Sequence, residues 1–450
     1  MTAQMPRNTT QPGLPPGPRF AALQTALYMR DAYGYTRRLR QRYGDTVTMP
    51  SMNGQIVLTM TPAGAREILD QPIDHYGESF ASSALTPILG EASLFPISGK
   101  RHRTERKLLS PTFHGNRMRS LAPAMLKATL ERSRQWCEGD RLVLLDEMQA
   151  ISLEVIIGAV LGVTDPERRE LFRAAVLNTM NDAINPALIF FTSLQRPFGG
   201  IGPWSRFLHN RDLFRRLIAE EIAVARRSPA GERPDILARL AHATREDGEP
   251  FPDETIRDHL VTLLIAGHET TASALAWTFS ELSRNPDVCR WLLGEVSAAG
   301  PEPSPEHLAG LPALEATSRE GLRLHPIVAE FFRTVRQPTS FQGFEIPVGS
   351  VLAASILEIH QDESLYPEPQ TFRPGRFLER KFAPHEFSAF GGGHRHCLGS
   401  AFALAEMAVV IGTLLPRFHF ESASSEPPAV GRRNVTLPPK GGAPVRVRFR

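Results

Sequence analysis

The amino-acid sequence predicts a mainly α-helical fold with a few short β-strands. Apolar residues recur every three or four positions over long segments, which is typical of amphipathic helices, and two runs rich in β-branched residues flank Asn53-Gly54 as in a β-hairpin. The predicted helices lie at 31–43, 61–69, 117–137, 143–162, 166–185 and 254–283, with one more opening at Gly99 and one following Cys397. The predicted strands lie at 46–49, 55–59, 417–421, 434–437 and 445–449.

The first 18 residues are predicted to be a tail and a proline-rich hinge, or plain linker, ahead of one domain at 19–450. Residues 1–13 are polar, so we expect disorder, whereas the Leu-Pro-Pro-Gly-Pro run at 14–18 favours a stiff, extended backbone. Residues 72–98 lack a clear period and are predicted to be irregular. No repeat and no shift in composition divides the rest of the chain, so we expect a single domain.

Composition excludes several classes of protein. The net charge of the 450-residue chain is only +3 and the basic residues are scattered among acids, which argues against a nucleic-acid partner. The three cysteines contain no Cys-x-x-Cys pair, so neither a disulfide framework nor a structural zinc site is predicted. This use of cysteine fits a reducing cytoplasm.

No membrane anchor is expected either. The N-terminus lacks the apolar run of a signal peptide. The most apolar long segment, 260–276, is interrupted by Gly267, His268 and Glu269, so it is a poor membrane span. We therefore expect a soluble, cytoplasmic protein.

The segment from Phe390 to Gly399 carries the strongest chemical signal. It is a glycine-rich loop that places Cys397 just before a helix, where free backbone N–H groups and the helix dipole favour a thiolate. Arg395 adds a neighbouring cation, and the glycines allow tight turns and the close approach of a flat partner. Such a thiolate suits a bond to a metal ion. The alternative is that Cys397 is simply a small buried hydrophobe.

A second signal lies in the middle of the helix at 254–283. Asp253 is a plausible N-cap, and Asn285-Pro286 ends the helix. The central Gly267, Glu269 and Thr270 conflict with local rules, because glycine weakens a helix and a buried carboxylate needs partners. Threonine can also bond the carbonyl one turn back. Such conflicts often mark function, although a structural kink is the alternative.

Two further pairs lie on helical faces. His102 and Arg106 are four residues apart and are therefore either an exposed basic face or an anion site. Glu320 and Arg323 are three apart, which on an exposed helix would be a weak pair.

The pattern Phe-x-x-Gly-x-x-x-Cys-x-Gly at 390–399 closely resembles the haem-thiolate signature of the cytochrome P450 family. The segment Ala266–Thr271 resembles the oxygen-binding helix of that family, and the order and spacing of the motifs agree from Pro15 onward. This resemblance implies a helical domain with small sheets at one side. Haem b would lie between the helix at 254–283 and the Cys397 loop.

The resemblance also implies roles for individual residues. Cys397 would ligate the iron, Thr270 would hold dioxygen by a hydrogen bond, and Glu269 would relay protons. Ala266 and Gly267 would leave room over the haem. The haem-contacting positions carried over are His102, Arg106, Ala266, Gly267, Arg333, Phe390, Gly391, Arg395, Cys397 and Gly399. The alignment of Arg333 could slip onto Arg336.

A structural network is implied as well. Glu320 and Arg323 would join the downstream Arg376 behind the haem loop. The glutamate that the family usually has just before this arginine is Gly375 here, a departure that should not disturb Arg376.

The implied function is a monooxygenase that uses O2 and takes electrons from a separate ferredoxin or flavodoxin with its reductase. Docking is expected on the Cys397 side, near His394 and Arg395. The apolar segments at 187–191 and Phe331-Phe332 suggest a lipophilic substrate such as a terpenoid, fatty acid or polyketide of secondary metabolism. Glu330 could orient a basic or hydroxylated substrate, or face solvent, and we expect a monomer.

Two alternatives remain open at this stage. A peroxide-driven haem-thiolate peroxygenase would share Cys397, but such relatives lack the Glu269-Thr270 pair. A non-catalytic haem sensor would need an output domain or a partner surface, and the sequence indicates neither.

Overall fold

The structure is a computed structural model of the protein. It describes residues 13–51, 54–77, 82–113, 116–183, 195–196, 201–233, 235–245, 248–433 and 435–450. The predicted disordered tail up to residue 12, the hairpin residue Asn53 and the apolar segment 187–191 lie outside the described residues.

Helices dominate the fold, as predicted. In chain order they are α1 (Ala21–Arg30), α2 (Ala32–Tyr43), α3 (Pro62–Asp70), α4 (Ser82–Leu89), α5 (Gly99–Leu109), α6 (Asn116–Ser133), α7 (Leu144–Leu161), α8 (Pro166–Ala183) and α9 (Pro203–Arg227). The remaining helices are α10 (Ile236–Ala241), α11 (Asp253–Arg284), α12 (Pro286–Ala298), α13 (Pro305–Gly310), α14 (Pro312–Leu324), α15 (Ile356–Ile359), α16 (Arg376–Glu379) and α17 (Ser400–Leu414).

The strands form small sheets. They are β1 (Thr46–Ser51), β2 (Gly54–Thr59), β3 (Arg141–Val143), β4 (Glu330–Thr334), β5 (Thr339–Phe341), β6 (Phe344–Ile346), β7 (Val351–Ser355), β8 (Phe418–Ser422) and β9 (Pro444–Phe449). The largest sheet has the order β1-β2-β7-β4, in which β2 and β7 are parallel and the other two pairs are antiparallel. The strands β3-β9-β8 and β5-β6 form two further sheets. The prediction of a mainly α-helical chain with small sheets is confirmed.

Polar side chains cap several helices where the sequence placed them. Thr61 accepts a hydrogen bond from the amide of Gly64 at the start of α3, and α2 ends at Gly44. At α11, however, the N-cap is Pro252 and Asp253 is the first helical residue. The expectation of an Asp253 cap was therefore wrong. Its carboxylate accepts from Arg226 instead, at 2.7 Å, and so ties α11 to α9.

Helix α11 is the central element of the helical core. Its 32 residues rise about 48 Å at 1.5 Å each, and it packs against α7, α9, α14 and α17. Most of its residues between Ala272 and Leu282 are buried. This helix therefore passes through the main hydrophobic core, so its centre can lie opposite the loop that precedes α17.

Two other sequence expectations differ from the structure, and two helices were not predicted. The segment 72–98 is not irregular throughout, because it contains α4, whose last residue is Leu89 and which is followed by Gly90 with a positive φ. Its brevity and Pro87 hid it from a periodicity argument. The predicted strand at 434–437 is wrong, since the described part is a turn closed by a bridge between Arg433 and Thr436. Helices α9 and α10 lie in a region for which no element was predicted.

The proline-rich segment is tied to the first sheet. The amide and hydroxyl of Thr48 donate to the carbonyls of Pro16 and Pro15 at 3.0 and 2.8 Å, and Leu14 is buried. In the part of the chain that the structure describes, no helix combines the length and the apolar character needed to cross a bilayer.

Candidate functional site

The loop before α17 is closed by backbone hydrogen bonds that position Cys397. The amide of Cys397 donates to the carbonyl of Phe390 at 2.9 Å, and the amide of Gly391 donates to Ser388 at 2.8 Å. Gly391 and Gly393 have φ values of 63° and 60°, in the left-handed region that glycine adopts without strain. Cys397 thus lies three residues before Ser400, the first residue of α17.

The Cys397 residue is exposed although protein atoms surround its thiol. That combination is expected of a side chain that faces an interior space. Burial raises the pKa of the thiol, while the backbone N–H of Gly399 and the charge of Arg106 lower it. Within the protein alone the thiol is therefore not a ready thiolate, and a bound cation would favour its ionised form.

Arg395 does not act as the cation beside this sulfur. Its guanidinium donates to the backbone carbonyls of Leu94, Phe95 and Ile97, at 2.9, 3.4 and 2.5 Å. Arg106 is the cation whose charge lowers the pKa of the Cys397 thiol, and the cofactor-binding role expected of Arg395 stays a prediction. Arg395 instead ties the loop before α17 to residues 94–97, which precede α5.

Five basic side chains converge next to this loop, those of His102, Arg106, Arg333, His394 and Arg395. Burial lowers the pKa of His102 to about 3, with further lowering by Arg395, Arg106, His394 and Arg333. The pKa of His394 falls to about 4, mainly through burial and Arg333. Burial lowers the pKa of both Arg333 and Arg395 to about 10. No ion pair with an acid is formed by these five side chains among the described residues. The cluster is therefore suited to an anionic group.

Arg333 and Arg336 lie in different surroundings. Arg333 donates to the carbonyl of Gly392 at 2.8 Å and is 7% exposed, so it joins the basic cluster. The side chain of Arg336 packs beside Gly77 instead. His394 was expected only as an attractive charge for a partner. The centre of the His394 ring lies 6.3 Å from that of His102 and 6.2 Å from that of Tyr76, so His394 also belongs to the basic cluster. In the sequence, only its position next to Arg395 could have indicated that.

Helix α5, which carries His102 and Arg106, is fixed against α11. Glu105 lies between these two residues in sequence, and its Oε2 is 3.0 Å from Nε2 of the buried His259 in α11. Arg101 donates to the other oxygen of Glu105 at 2.9 Å. The basic face of α5 and the centre of α11 are thereby held in one arrangement.

The centre of α11 has one accessible face inside the protein. Ala266 is exposed and Thr270, one turn on, is partly exposed, although their neighbours His268 and Glu269 are buried. The hydroxyl of Thr270 donates to the carbonyl of Ala266 at 2.7 Å, as the sequence suggested. The hydroxyl oxygen keeps lone pairs that could accept, and its proton could be redirected to a ligand.

Glu269 lies on another side of the helix. Its Oε1 accepts from the hydroxyl of Thr436 at 3.0 Å and lies 3.4 Å from Nε of Arg433. Burial raises the pKa of Glu269, and Arg433 and Thr436 oppose that rise. The acid is therefore held by the C-terminal loop, which the sequence analysis did not connect with α11.

Gly267 serves helix packing. A Cβ at this position would come within 2.8 Å of Cδ1 of Ile156 in α7. Its missing side chain thus lets α11 approach α7, and Gly267 itself is partly exposed and lies three residues before Thr270 on the helix. The expectation that Gly267 leaves room over a haem stays a prediction, because the contact with Ile156 concerns only one side of this residue.

The Glu320–Arg323–Arg376 network is fully buried. Arg323 donates to both oxygens of Glu320, at 2.8 and 2.9 Å, and Arg376 donates to Glu320 Oε1 at 3.0 Å. Burial of a charged pair is tolerated when every donor and acceptor has a partner. Arg323 also donates to the carbonyls of His360 and Pro369, both at 2.9 Å.

His360 links this network to the Cys397 loop, a role that sequence reasoning missed. The amide of Ser388 donates to its Nε2 at 3.0 Å, so Nδ1 carries the proton and donates to the carbonyl of Arg323 at 3.2 Å. Burial lowers the pKa of His360 to about 3, which keeps the ring neutral. His360 directly follows the short helix α15. A lone histidine there gives no sequence signal that it links two distant segments.

A basic cleft opens beside the cluster. It has a volume of about 320 Å³ and is lined by Ile73, His102, Arg103, Arg106, Lys107, Ser110 and His394. It therefore connects the buried cluster with the protein surface.

The residues present fit an iron porphyrin. Cys397 offers one thiolate, and the described residues contain no group of three His, Cys, Asp or Glu that could hold a metal ion alone. A metal at Cys397 would need its other ligands from a non-protein group. The basic cluster suits the two carboxylates of such a group, and Ala266 and Thr270 offer an accessible face. Fold and site together define a haem-thiolate protein.

Comparisons with known proteins agree with this class. The cytochrome P450 family model matches residues 12–444. The chain is 34% identical to cytochrome P450 135A1 of Mycobacterium tuberculosis, covering 98% of this chain and 96% of that protein. It is 31% identical to cytochrome P450 135B1 of Mycobacterium bovis, covering 98% and 92%. A solved structure, retinoic acid bound cyanobacterial CYP120A1, superposes with a TM-score of 0.85 at 24% identity, over 97% of this chain and 99% of that one.

The chain belongs to the cytochrome P450 family. It is accordingly a haem-thiolate monooxygenase with haem b as its cofactor, and the predicted family, fold, enzyme class and cofactor are confirmed.

Proposed function

We propose that this monooxygenase oxygenates a lipophilic small molecule with electrons from a separate ferredoxin or flavodoxin. Cys397 would bind the haem iron, and His102, Arg106, Arg333 and His394 would bind the propionates. Haem held by a thiolate supplies the chemistry that cleaves the O–O bond. The single observation that carries the assignment is an accessible thiol next to a buried cationic cluster that pairs with no acid in the described structure.

The thiolate assignment is tested by the spectrum of the reduced protein with carbon monoxide. We expect the red-shifted absorption of a thiolate ligand in the wild type and its loss in Cys397→Ser. Cys289→Ser is the matched control, since Cys289 is buried near Arg450 and far along the chain from the loop. An unchanged spectrum in Cys397→Ser would refute the assignment.

Thr270 and Glu269 would manage protons in this proposal. Thr270 presents its hydroxyl on the accessible face of α11, and Glu269 is a buried acid with a raised pKa and a contact to the partly exposed Arg433. Such an acid can pass protons inward from the C-terminal loop, and Thr270 can hand them to a bound ligand.

The test is the coupling of NAD(P)H consumption to product. In Thr270→Ala we expect most electrons to form hydrogen peroxide, whereas Thr270→Ser should keep most of the coupling. Full coupling in Thr270→Ala would refute the proton role of this hydroxyl.

The electron partner would dock on the basic cleft. His102, Arg103, Arg106 and Lys107 line it, and charge complementarity with an acidic protein speeds association. Reduction should slow as ionic strength rises, and Arg103→Glu together with Lys107→Glu should slow it further. A salt-independent rate would argue against this docking face.

The lipophilic substrate class rests on the apolar pair Phe331-Phe332, which directly precedes Arg333 on β4. The Glu269-Thr270 pair favours use of O2 over a peroxide-driven reaction, since it gives α11 a proton path. The cytoplasmic location, the monomeric state and a place in secondary metabolism stay predictions from the sequence.

A further inference from the structure

A second buried acid lies outside the haem site. Glu330 at the start of β4 is 5% exposed, and its Oε2 accepts a hydrogen bond from the hydroxyl of Tyr28 in α1 at 2.6 Å. Its other oxygen, Oε1, has no hydrogen-bond partner among the described residues. A buried carboxylate oxygen without a partner costs free energy, so it calls for an explanation.

Arg432 approaches the same tyrosine from the C-terminal loop. Its guanidinium carbon lies 4.7 Å from the centre of the Tyr28 ring, and its Nη2 is buried without a partner among the described residues. Arg432 and Glu330 form no ion pair within 4.0 Å in the described structure. Burial raises the pKa of Glu330 to about 7, and the hydrogen bond from Tyr28 and the charge of Arg432 oppose that rise. Glu330 and Arg432 thus both contact Tyr28, and each keeps one buried polar atom that bonds neither to the other residue nor to any described residue.

The position of these three side chains relates them to the reaction site. Arg432 directly precedes Arg433, which contacts Glu269 of α11, and Glu330 lies three residues before Arg333 on β4. Because side chains alternate along a strand, Glu330 points to the face of β4 opposite Arg333. The cluster is therefore beside the haem site and separate from the propionate cluster.

The other side of the cluster faces the surface. An exposed apolar stripe at three- and four-residue spacing is made of Phe20, just before α1, and of Leu23 and Leu27 within it, which are 77%, 53% and 37% exposed. The helix that carries Tyr28 thus presents apolar side chains to the surface.

The chemistry of the two unpartnered atoms restricts the ligand. An ammonium group would be repelled by Arg432, and a carboxylate would be repelled by Glu330. A neutral group that both donates and accepts satisfies Oε1 of Glu330 and Nη2 of Arg432 together, and a hydroxyl does so with one oxygen. We propose that Glu330 and Arg432, positioned by Tyr28, bind a hydroxyl group of the lipophilic substrate, an inference that rests on the proposed function.

Binding of two matched probes tests this proposal. Decan-1-ol and 1-methoxydecane both accept a hydrogen bond, but only the alcohol can donate one to Glu330. Calorimetric titration of the haem-loaded wild type should give a dissociation constant about tenfold lower for the alcohol, the effect of one hydrogen bond to a charged group.

Variants assign the preference to atoms. In Glu330→Leu the two probes should bind within about twofold of each other, and Arg432→Met should weaken both. Glu330→Gln keeps the shape and an acceptor, so it is the variant of choice if the leucine variant fails to fold. It should reduce the preference to about threefold, because the acceptor becomes neutral. Glu358→Gln is the matched control, a buried acid of α15 whose partner is Arg40 at 3.6 Å, and it should leave the preference unchanged.

Two outcomes overturn the proposal. One is that the alcohol binds no better than the ether in the wild type, or does not bind at all. The other is that the preference survives in both Glu330 variants. The carbon monoxide spectrum of the same preparations separates this result from a failure of the proposed function, since a thiolate spectrum with no alcohol preference rejects only the recognition site.

Discussion

Nε of Arg433 lies 3.4 Å from Oε1 of Glu269, so the C-terminal loop supplies the counter-charge for the acid in the centre of α11. Arg433 is also tied to α8, because its Nη2 donates to Asn181 Oδ1 at 3.3 Å. The side chain of Arg433 is 29% exposed and that of Glu269 is 7% exposed. This arginine therefore lies between a buried acid and the solvent, and it supplies the acid with a positive charge.

Removal of Arg433 should move the pH dependence of coupling. Burial raises the pKa of Glu269 and Arg433 lowers it, so Arg433→Met should raise that pKa further. The carboxyl would then keep its proton to higher pH. In a plot of product formed per NAD(P)H against pH, the limb that reports the ionisation of Glu269 should therefore move upward by about one pH unit. The measurement is product formed per NAD(P)H between pH 6 and pH 9.

Two companion variants make this result decisive. Thr436→Val should move the limb in the same direction by less, since it removes a neutral hydrogen bond. Glu269→Gln should abolish the limb. A limb that stays in place in Arg433→Met but disappears in Glu269→Gln would show that Arg433 does not control the acid.

The Glu320 network should be essential for folding, whereas a similar pair on the same helix should not be. Glu320→Gln would leave two buried guanidinium groups without their counter-charge, at a cost of about 3–5 kcal/mol of unfolding free energy. Glu315→Gln breaks the pair with Arg319. The side chains of Glu315 and Arg319 are 47% and 32% exposed, so this variant should lose only about 0–1 kcal/mol of unfolding free energy. Urea unfolding of both variants checks the difference, and equal costs would contradict the structural role.

The sequence predicted the elements that have long periods or special residues. Thr61, Gly44 and the hairpin strands gave local signals that survive in the fold. The short α4 and the turn at Arg433–Thr436 did not, because tertiary contacts and not periodicity determine them.

The candidate site shows the same division. The motif around Cys397 was readable because it is contiguous. The partners His394 with His102, His360 with Ser388 and Arg433 with Glu269 are brought together only by folding, so no spacing in the sequence could reveal them. The close approach of Ile156 to Gly267 could not be predicted either, since a glycine in a helix looks the same whether it admits a ligand or a neighbouring helix.

The histidines should make the haem-free protein sensitive to acid. Folded pKa values of about 3 for His102 and about 4 for His394 lie below the ordinary 6.5. The unfolded chain therefore binds more protons below pH 6.5, and the unfolding free energy should fall as the pH drops from about 6.5 toward 4. His268 and His360, with pKa values lowered to about 4 and about 3, add to this effect.

Haem should relieve only part of this sensitivity. Propionates next to His102 and His394 would raise their pKa values, so haem loading should take up protons near pH 6, and His102→Asn with His394→Asn should remove that uptake. His268→Asn should leave it unchanged, because His268 lies outside the basic cluster. Calorimetric haem titrations in buffers of different ionisation enthalpy measure the uptake. Proton release, or uptake that persists in the double variant, would contradict the assignment of the cluster.

Arg395 should control the order of the segment at 94–97. Its guanidinium binds three carbonyl oxygens there, and lysine cannot reproduce that planar set of donors. Arg395→Lys keeps the charge but leaves carbonyls without partners, so we expect a loss of about 1–3 kcal/mol and faster proteolytic cleavage between α4 and α5. Arg103→Lys is the control, since no hydrogen bond of its side chain is seen in the described structure and it lines the open cleft. If Arg395→Lys were cut at the wild-type rate while haem affinity fell, the arginine would act on the cofactor through its planar set of donors and not by holding this segment.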